Sequence, residues 1–211
     1  MTDQHATPVG LEDFDLDDYL FPTGEQDLLA TSGDPARHAR LDLQRDSIFG
    51  RMEGFRLAAQ LLTEHALARR EDLDVLIYPI ANCWRHHLEL LLKSLLSNLH
   101  EFLGGPAIAA RGHELMPLWK QVRVKLEEAQ LHEPTDDLDH AERLLRQLHE
   151  LDPDGQNFRY HRRTNGTVAL GGIERLDVQA LHDGLRGVAN LLREIDRQIA
   201  YIEAIGEGEL P

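Results

Sequence analysis

Apolar residues recur at three- and four-residue steps through most of the chain after residue 46, and this is the period of amphipathic α-helices. We predict helices over residues 47–70, 76–103, 135–150 and 175–205, and a further helix that has Pro117 in its first turn and ends near Leu131. An alternating period occurs only in a weak run, Thr-Val-Ala-Leu, at 167–170. The pattern therefore predicts an all-α bundle of about five helices.

The second predicted helix, 76–103, is apolar around most of its circumference. We expect it at the centre of the bundle or in an oligomer interface. One side of it carries a polar stripe at three- and four-residue steps, formed by Asn82, Arg85, His86, Glu89, Lys93 and Ser97. Two pairs of opposite charge within the stripe lie four residues apart, and each stabilises an exposed helix by about 0.2–0.5 kcal/mol. The stripe is either a solvated face or the lining of a cleft.

Three parts of the chain differ in character, so we expect an acidic N-terminal extension at 1–46, a helical domain at 47–205 and a short tail at 206–211. The net charge is −15, and residues 1–36 carry nine acidic residues without a single Lys or Arg. Acids alternate with large apolar groups over 10–22, which is typical of a segment that docks on a basic or apolar groove. The extension is therefore either a solubilising tail, partly disordered, or a segment that docks on the basic loop or a protein partner.

Several classes of protein and site are excluded by the composition and motifs. No apolar run approaches the roughly 20 residues that cross a bilayer, and the N-terminus lacks a signal pattern, so we expect a cytoplasmic protein. One cysteine, Cys83, cannot form an internal disulfide framework. We expect no metal centre, because His86 and His87 point roughly 100° apart on a helix and no metal-binding histidine motif occurs. Phosphate loops, dinucleotide fingerprints and serine elbows are also missing, so no cofactor is expected.

The segment 148–167, between the fourth and fifth predicted helices, gathers basic and aromatic side chains between turn-forming residues. The cluster comprises Phe158, Arg159, Tyr160, His161, Arg162 and Arg163. Cationic and aromatic groups in a loop suit an anion with a flat face, such as a nucleotide or RNA. The alternative is structural, in which the two aromatic rings attach the loop to the core while Arg159 pairs with Asp152 or Glu89.

Three segments in a fixed order resemble a known family. They are Arg-His-His-Leu-Glu-Leu-Leu-Leu-Lys-Ser-Leu-Leu at 85–96, Gly-His-Glu-Leu at 112–115 and Phe-Arg-Tyr at 158–160. This order is similar to that of prokaryotic HEPN-like proteins, and the resemblance covers about residues 47–205. It implies an antiparallel bundle that pairs into a homodimer. It further implies a role in defence, toxin–antitoxin or stress systems, as a metal-independent ribonuclease or as an inactive binding relative.

Catalytic members of that family carry an Arg followed, after four to six residues, by a His. Arg143 and His149 fit this spacing, with Arg143 expected to stabilise phosphate and His149 to act as acid and base. Arg175 and His182 give a second match. In both cases a leucine follows the arginine, where active members place a polar residue. The sequence therefore leaves enzymatic activity uncertain and favours binding without catalysis.

We expect a nucleotide- or RNA-binding protein with two sets of ligand-binding residues. Phosphate and base would be contacted by Arg159, Tyr160, Arg162 and Arg163, and the floor of the site would be formed by Arg85, Glu89, Lys93 and His113. One alternative is a metal-independent ribonuclease. The other is a helical scaffold that captures a protein partner through residues 1–46.

Overall fold

A computed structural model of the chain describes residue 28 and residues 33–39, 48–131 and 135–206. The chain divides into two units, 1–41 and 42–211. In the first unit a 3-10 turn spans Pro35–Arg37, and the Asp34 carboxylate accepts the N–H of Ala36 at 3.0 Å. The acidic-apolar run at 10–22, the expected cap at Asp46 or Ser47 and the tail beyond Gly206 all lie outside the described residues.

The predicted all-α architecture is confirmed. Within the described ranges the second unit contains five α-helices: α1 (Ile48–Ala68), α2 (Leu73–Phe102), α3 (Leu115–Glu128), α4 (Thr135–Leu151) and α5 (Val178–Gly206). The weak alternating run at 167–170 contributes one isolated antiparallel bridge, between Arg162 and Val168, instead of a strand. None of the helices in the described part of the chain is long and apolar enough to cross a membrane.

Helix boundaries differ from the predicted ones by two or three residues where local caps intervene. The third helix ends at Glu128 instead of Leu131, because Gln130 adopts a left-handed φ of 55° that stops it. The fifth begins at Val178 instead of 175, because the Asp177 carboxylate caps it by accepting the N–H of Ala180 at 2.9 Å. Capping contacts of this kind cannot be recognised from the spacing of apolar residues along the sequence.

Contacts between side chains fix the directions of the helices. His87 on α2 reaches the carbonyl of Met52 on α1, while the start of α2 meets the end of α1 where His65 pairs with Asp72, so α1 and α2 are antiparallel. In contrast, α2 and α5 run parallel. Their contacts, Trp84 with His182 and Asn98 with Asp196, keep the same order along both helices. Parallel neighbours are possible here because α3 and α4 separate α2 from α5 in the chain.

The apolar circumference of α2 is covered by the other helices of the same chain. Its residues Ile80, Trp84, Leu88, Leu92, Leu95 and Leu99 are all buried, against α1, α3 and α5. Of the two predicted positions for this helix, the centre of the bundle is therefore confirmed. The buried side chains of α2 are therefore packed within one chain, and the homodimer stays a prediction.

His87 is a buried polar group at the junction of α1, α2 and α5. Its Nδ1 donates to the Met52 carbonyl at 2.8 Å, and its Nε2 has no hydrogen-bond partner within the described residues. Burial lowers the pKa of His87 to about 4, against the opposing effect of the Met52 hydrogen bond. The charged groups around it are Arg193, Glu53 and Arg56, of which Arg193 disfavours protonation further. The imidazole is therefore neutral in the folded protein at pH 7.

This buried imidazole predicts a pH dependence of folding. The unfolded chain binds a proton near the ordinary pKa of about 6.5, whereas folded His87 does so only near pH 4. The contribution of His87 to the free energy of unfolding should thus be constant above about pH 7 and fall as the pH drops below 6.5. The expected loss at pH 5.5, relative to pH 7.5, is about 1 kcal/mol from this residue. Urea denaturation of the wild-type protein and of His87→Gln at both pH values measures it.

The variant His87→Gln should lose that part of the pH dependence, since the amide does not titrate. The exposed His140, changed to Gln, is the matched control and should retain it. An identical fall in stability for wild type and His87→Gln would contradict the assignment.

Candidate functional site

The guanidinium of Arg85, on α2, is the anchor of the loop that joins α4 to α5. Arg85 is only 2% exposed, yet it is fully charged in any protein environment. Its Nε donates to the carbonyl of Asp152 at 3.0 Å, and one terminal nitrogen donates to the carbonyl of Pro153 at 3.3 Å. The same nitrogen donates to the carbonyl of His113 at 2.6 Å, in the segment before α3. One side chain thus fastens two separate loops to the central helix.

Glu89, one turn further along α2, supplies the charge that balances Arg85. Its Oε2 accepts from Arg85 at 3.0 Å, while Oε1 accepts from Lys93 at 2.8 Å and from Nδ1 of His113 at 2.9 Å. Burial alone would raise the pKa of Glu89, but the hydrogen bonds from Lys93, His113 and Arg85 outweigh it and lower the pKa below its ordinary value. The carboxylate is therefore ionised at neutral pH.

Asp152, at the end of α4, is the second buried acid beside Arg85. Its Oδ1 accepts the backbone N–H of Asn157 at 2.9 Å, which closes the first turn of the loop. Its Oδ2 lies 3.5 Å from Nε of Arg85, close enough for an ion pair but without hydrogen-bond geometry. Two carboxylates and one guanidinium therefore share the interior beneath residues 152–157.

These contacts correct part of the predicted binding site. Arg85 and Glu89 were expected to form the floor of a ligand site, but both are buried and their polar atoms are engaged within the protein. They position the loop, and the surface edge of this network is formed by Lys93 and by His113, whose side chain is 72% exposed. The structural alternative was also wrong in one respect, since the arginine that pairs with Asp152 and Glu89 is Arg85, not Arg159.

The two aromatic residues of the loop have opposite environments. Phe158 is buried in the core, as the structural interpretation predicted. Tyr160 is 55% exposed, and the guanidinium carbon of Arg159 lies 5.6 Å from the centre of its ring. The Nε of Arg159 donates to the carbonyl of Gly155 at 2.6 Å, so part of its donor set stays available. Phe158 therefore attaches the loop, while Arg159 and Tyr160 present a cation and a ring to the surface.

The other two predicted arginines mainly shape the loop. Arg163 donates to Asp154 and to Asn157, both at 2.9 Å. Arg162 is exposed and donates to the carbonyl of Gly166 at 3.1 Å, within the small turn closed by its bridge to Val168. Neither residue lines the cleft described next. The structure therefore does not place them beside Arg159 and Tyr160 in the lining of that cleft.

A cleft of about 1190 Å³ lies between the loop and the junction of α1 with α2. The helical wall contains Leu67, Leu73, Asp74, Ile77 and Tyr78, and the loop wall contains Asn157–His161 and Val168–Leu170 together with Ile173–Gln179. Tyr78 is 48% exposed, so each wall carries one half-exposed tyrosine. The lining combines apolar and aromatic side chains with five charged ones.

Sequence reasoning missed the helical wall and the far end of the loop. Tyr78 was hidden in the apolar period of α2, and Arg175 was considered only for its spacing to His182. Arg175 and Glu174 are exposed in the cleft and have no hydrogen-bond or ion-pair partner among the described residues. The polar run Glu174–Arg175 before a capped helix was the signal that could have drawn attention to this end of the loop.

The predicted catalytic pairs do not converge on the cleft. Arg143 is exposed and His149 is half-buried, and both lie on α4. Because they are six residues apart on a helix, their side chains point about 120° apart. In the second pair, His182 is buried, and its Nδ1 accepts the indole N–H of Trp84 at 3.3 Å. Burial lowers the pKa of His182, which favours the neutral acceptor form. His182 thus has a packing role, and catalysis by Arg143 and His149 stays a prediction.

Within the ranges that the structure describes, three or more His, Cys, Asp or Glu side chains nowhere cluster in a way that could hold a metal ion. Comparison with known proteins adds no further assignment, because no family model, curated protein or solved structure matches the chain.

Gly155 should prove necessary for the anchor. It adopts a φ of +78°, and a Cβ added there would lie 2.9 Å from a terminal nitrogen of Arg85. Gly166 has a similar φ of +83° but open space around it, so Gly166→Ala reports the backbone strain alone, about 1–2 kcal/mol. Gly155→Ala should lower the free energy of unfolding by clearly more, because Arg85 must also move. Equal losses in urea denaturation would show that the contact with Arg85 is unimportant.

Removing the buried guanidinium should be more costly still. Arg85→Met leaves Glu89 and Asp152 buried with fewer partners, and breaking a buried ion pair from one side costs about 3–5 kcal/mol. Arg186, an exposed residue paired with Asp183, is the matched control, and Arg186→Met should cost no more than about 1 kcal/mol. Both values come from chemical denaturation at neutral pH. A cost for Arg85→Met as small as that of the control would argue against the anchor.

Proposed function

We propose that the protein binds a nucleotide or RNA in the cleft between its loop and the α1–α2 junction. The observation that supports this best is the presence of two aromatic faces and two arginines in one cleft. Tyr78 is on the helical wall and Tyr160 on the loop wall, while Arg159 and Arg175 also line the cleft. A base needs a flat apolar face and a phosphate needs a cation, and this lining offers both.

The buried anchor makes such a site rigid before the ligand arrives. Arg85 and Glu89 hold residues 152–155 against α2, and Phe158 packs the next turn into the core. The neighbours of Phe158, Arg159 and Tyr160, are therefore presented from a fixed backbone. Binding sites of this kind lose less conformational entropy when they bind, which favours affinity.

The wider biological role rests on the resemblance to HEPN-like proteins in residues 85–96, 112–115 and 158–160. We infer from it a place in a prokaryotic defence, toxin–antitoxin or stress system and a homodimeric state. The outer face of α1 offers Leu57 and Leu61, both half-exposed, as apolar surface for a second copy. Binding without catalysis is the preferred interpretation, since a leucine follows Arg143 where catalytic members place a polar residue, and neither Arg143 nor His149 lines the cleft.

Titration calorimetry with 5′-ribonucleoside monophosphates and with a single-stranded RNA of twelve nucleotides tests the proposal. Tyr160→Ala should weaken binding of whichever probe binds by about fivefold or more, because stacking of one base contributes about 1–3 kcal/mol. Arg175→Ala should weaken it by about tenfold, the usual effect of losing a charged hydrogen bond. Since both residues are exposed, neither change should affect folding.

Two further variants serve as matched controls. Tyr201 on α5 is as exposed as Tyr160, and Arg186 is exposed like Arg175, but neither lines the cleft. Tyr201→Ala and Arg186→Ala should bind like the wild type. Failure of every probe to bind at low salt, or equal effects of the cleft and control variants, would refute the proposal.

A further inference from the structure

The charges that line the cleft are mixed in sign. Two guanidinium groups, of Arg159 and Arg175, share it with three carboxylates, of Asp74, Glu174 and Asp177. The Asp177 carboxylate caps α5 and is occupied in that way. Asp74 and Glu174 accept no hydrogen bond and form no ion pair with any described residue. The lining of the cleft therefore contains one more carboxylate than guanidinium group.

This balance bears on the kind of ligand that the cleft can hold. Each phosphate of a bound RNA strand needs a cation, and strand affinity comes largely from many such contacts. Only Arg159 and Arg175 are suited to that task here, because Arg162 and Arg163 lie outside the lining. Further phosphates of a strand would meet Asp74 or Glu174 and be repelled. The cleft can thus neutralise one phosphate group but does not provide a track for a polyanion.

The two free carboxylates are also hydrogen-bond acceptors that a ligand can satisfy. Carboxylates recognise ribose by accepting from its 2′-hydroxyl, and this contact distinguishes ribose from deoxyribose. Asp74 is on the helical wall and Glu174 on the loop wall, so both sides of the cleft offer such an acceptor. Neither carboxylate helps to bind phosphate, but a ligand with hydroxyl donors would satisfy both.

We propose, on the basis of the function above, that the ligand is a single ribonucleotide with one phosphate group, not an RNA strand. Its base stacks between or against Tyr78 and Tyr160, its phosphate binds Arg175 and Arg159, and its ribose hydroxyls donate to Asp74 or Glu174. The cleft of about 1190 Å³ is ample for a ligand of this size.

Calorimetric titration of the full chain tests this inference. The ligands are AMP, GMP, CMP and UMP, their 2′-deoxy counterparts, and the RNA of twelve nucleotides. At least one ribonucleotide should bind about tenfold more tightly than its deoxy counterpart. Its affinity should fall with salt with a logarithmic slope of about 1 or less, as expected for a single phosphate. The RNA should bind no more tightly than that ribonucleotide.

Substitution of Asp74 and Glu174 tests whether these two carboxylates cause the preference for ribose over deoxyribose. Asp74→Ala or Glu174→Ala should reduce the ribose preference by about fivefold or more, while the exposed Glu150→Ala, on α4 and away from the cleft, should retain it. An unchanged preference in the Asp74→Ala, Glu174→Ala double variant would overturn the assignment of the carboxylates.

The outcomes also separate this inference from the proposed function. Tight RNA binding with a salt slope of about 3 or more, and without competition from any mononucleotide, would overturn the inference while leaving a nucleic-acid function in place. Absence of binding by all mononucleotides and by the RNA would overturn both. Both the inference and the proposed function would be supported if a ribonucleotide binds, if Arg175→Ala weakens that binding, and if its 2′-deoxy counterpart binds more weakly.

Discussion

The buried Arg85–Glu89 pair on α2 is the interaction on which the arrangement of the loop depends. Two ionised side chains are costly to remove from water, and that cost is offset only if every remaining donor and acceptor finds a partner. Arg85 therefore binds the carbonyls of Asp152, Pro153 and His113, and Glu89 binds Lys93 and the ring of His113. The requirement to satisfy one buried charge pair fixes two loops that are distant in sequence.

The same requirement explains how one loop combines rigidity with exposure. Gly155 packs directly on the guanidinium of Arg85, with a backbone conformation that few other residues adopt. Three residues later Phe158 is buried, and two residues beyond it Tyr160 is at the surface. The backbone of this segment is thus held at Gly155 and Phe158, and the residues that follow line the cleft facing the α1–α2 junction, where we propose that a small ligand binds.

Much of the fold was predictable from local patterns. The helical period and the Gly- and Pro-rich breaks were sufficient for the number of helices, whereas the central position of α2 was one of two alternatives until the structure showed its burial. The helix ends at Gln130 and Asp177 were missed, since a left-handed residue and a capping carboxylate act through single contacts. Of the residues predicted to contact a ligand, Arg159 and Tyr160 both line the cleft, and their contact with a ligand stays a prediction. Arg162 and Arg163 are indistinguishable from them by composition, yet the structure places them outside the cleft.

The sequence by itself determined the all-α class, the acidic character of residues 1–36 and the location of the basic, aromatic loop, because each is a property of neighbouring residues. Only the tertiary structure decided which arginine is buried. Arg85 meets His113 and Asp152 across 28 and 67 residues of chain, and no periodicity encodes such a pairing. It also decided that Tyr78 and Arg175 share a cleft with Tyr160, since their approach depends on how the helices pack.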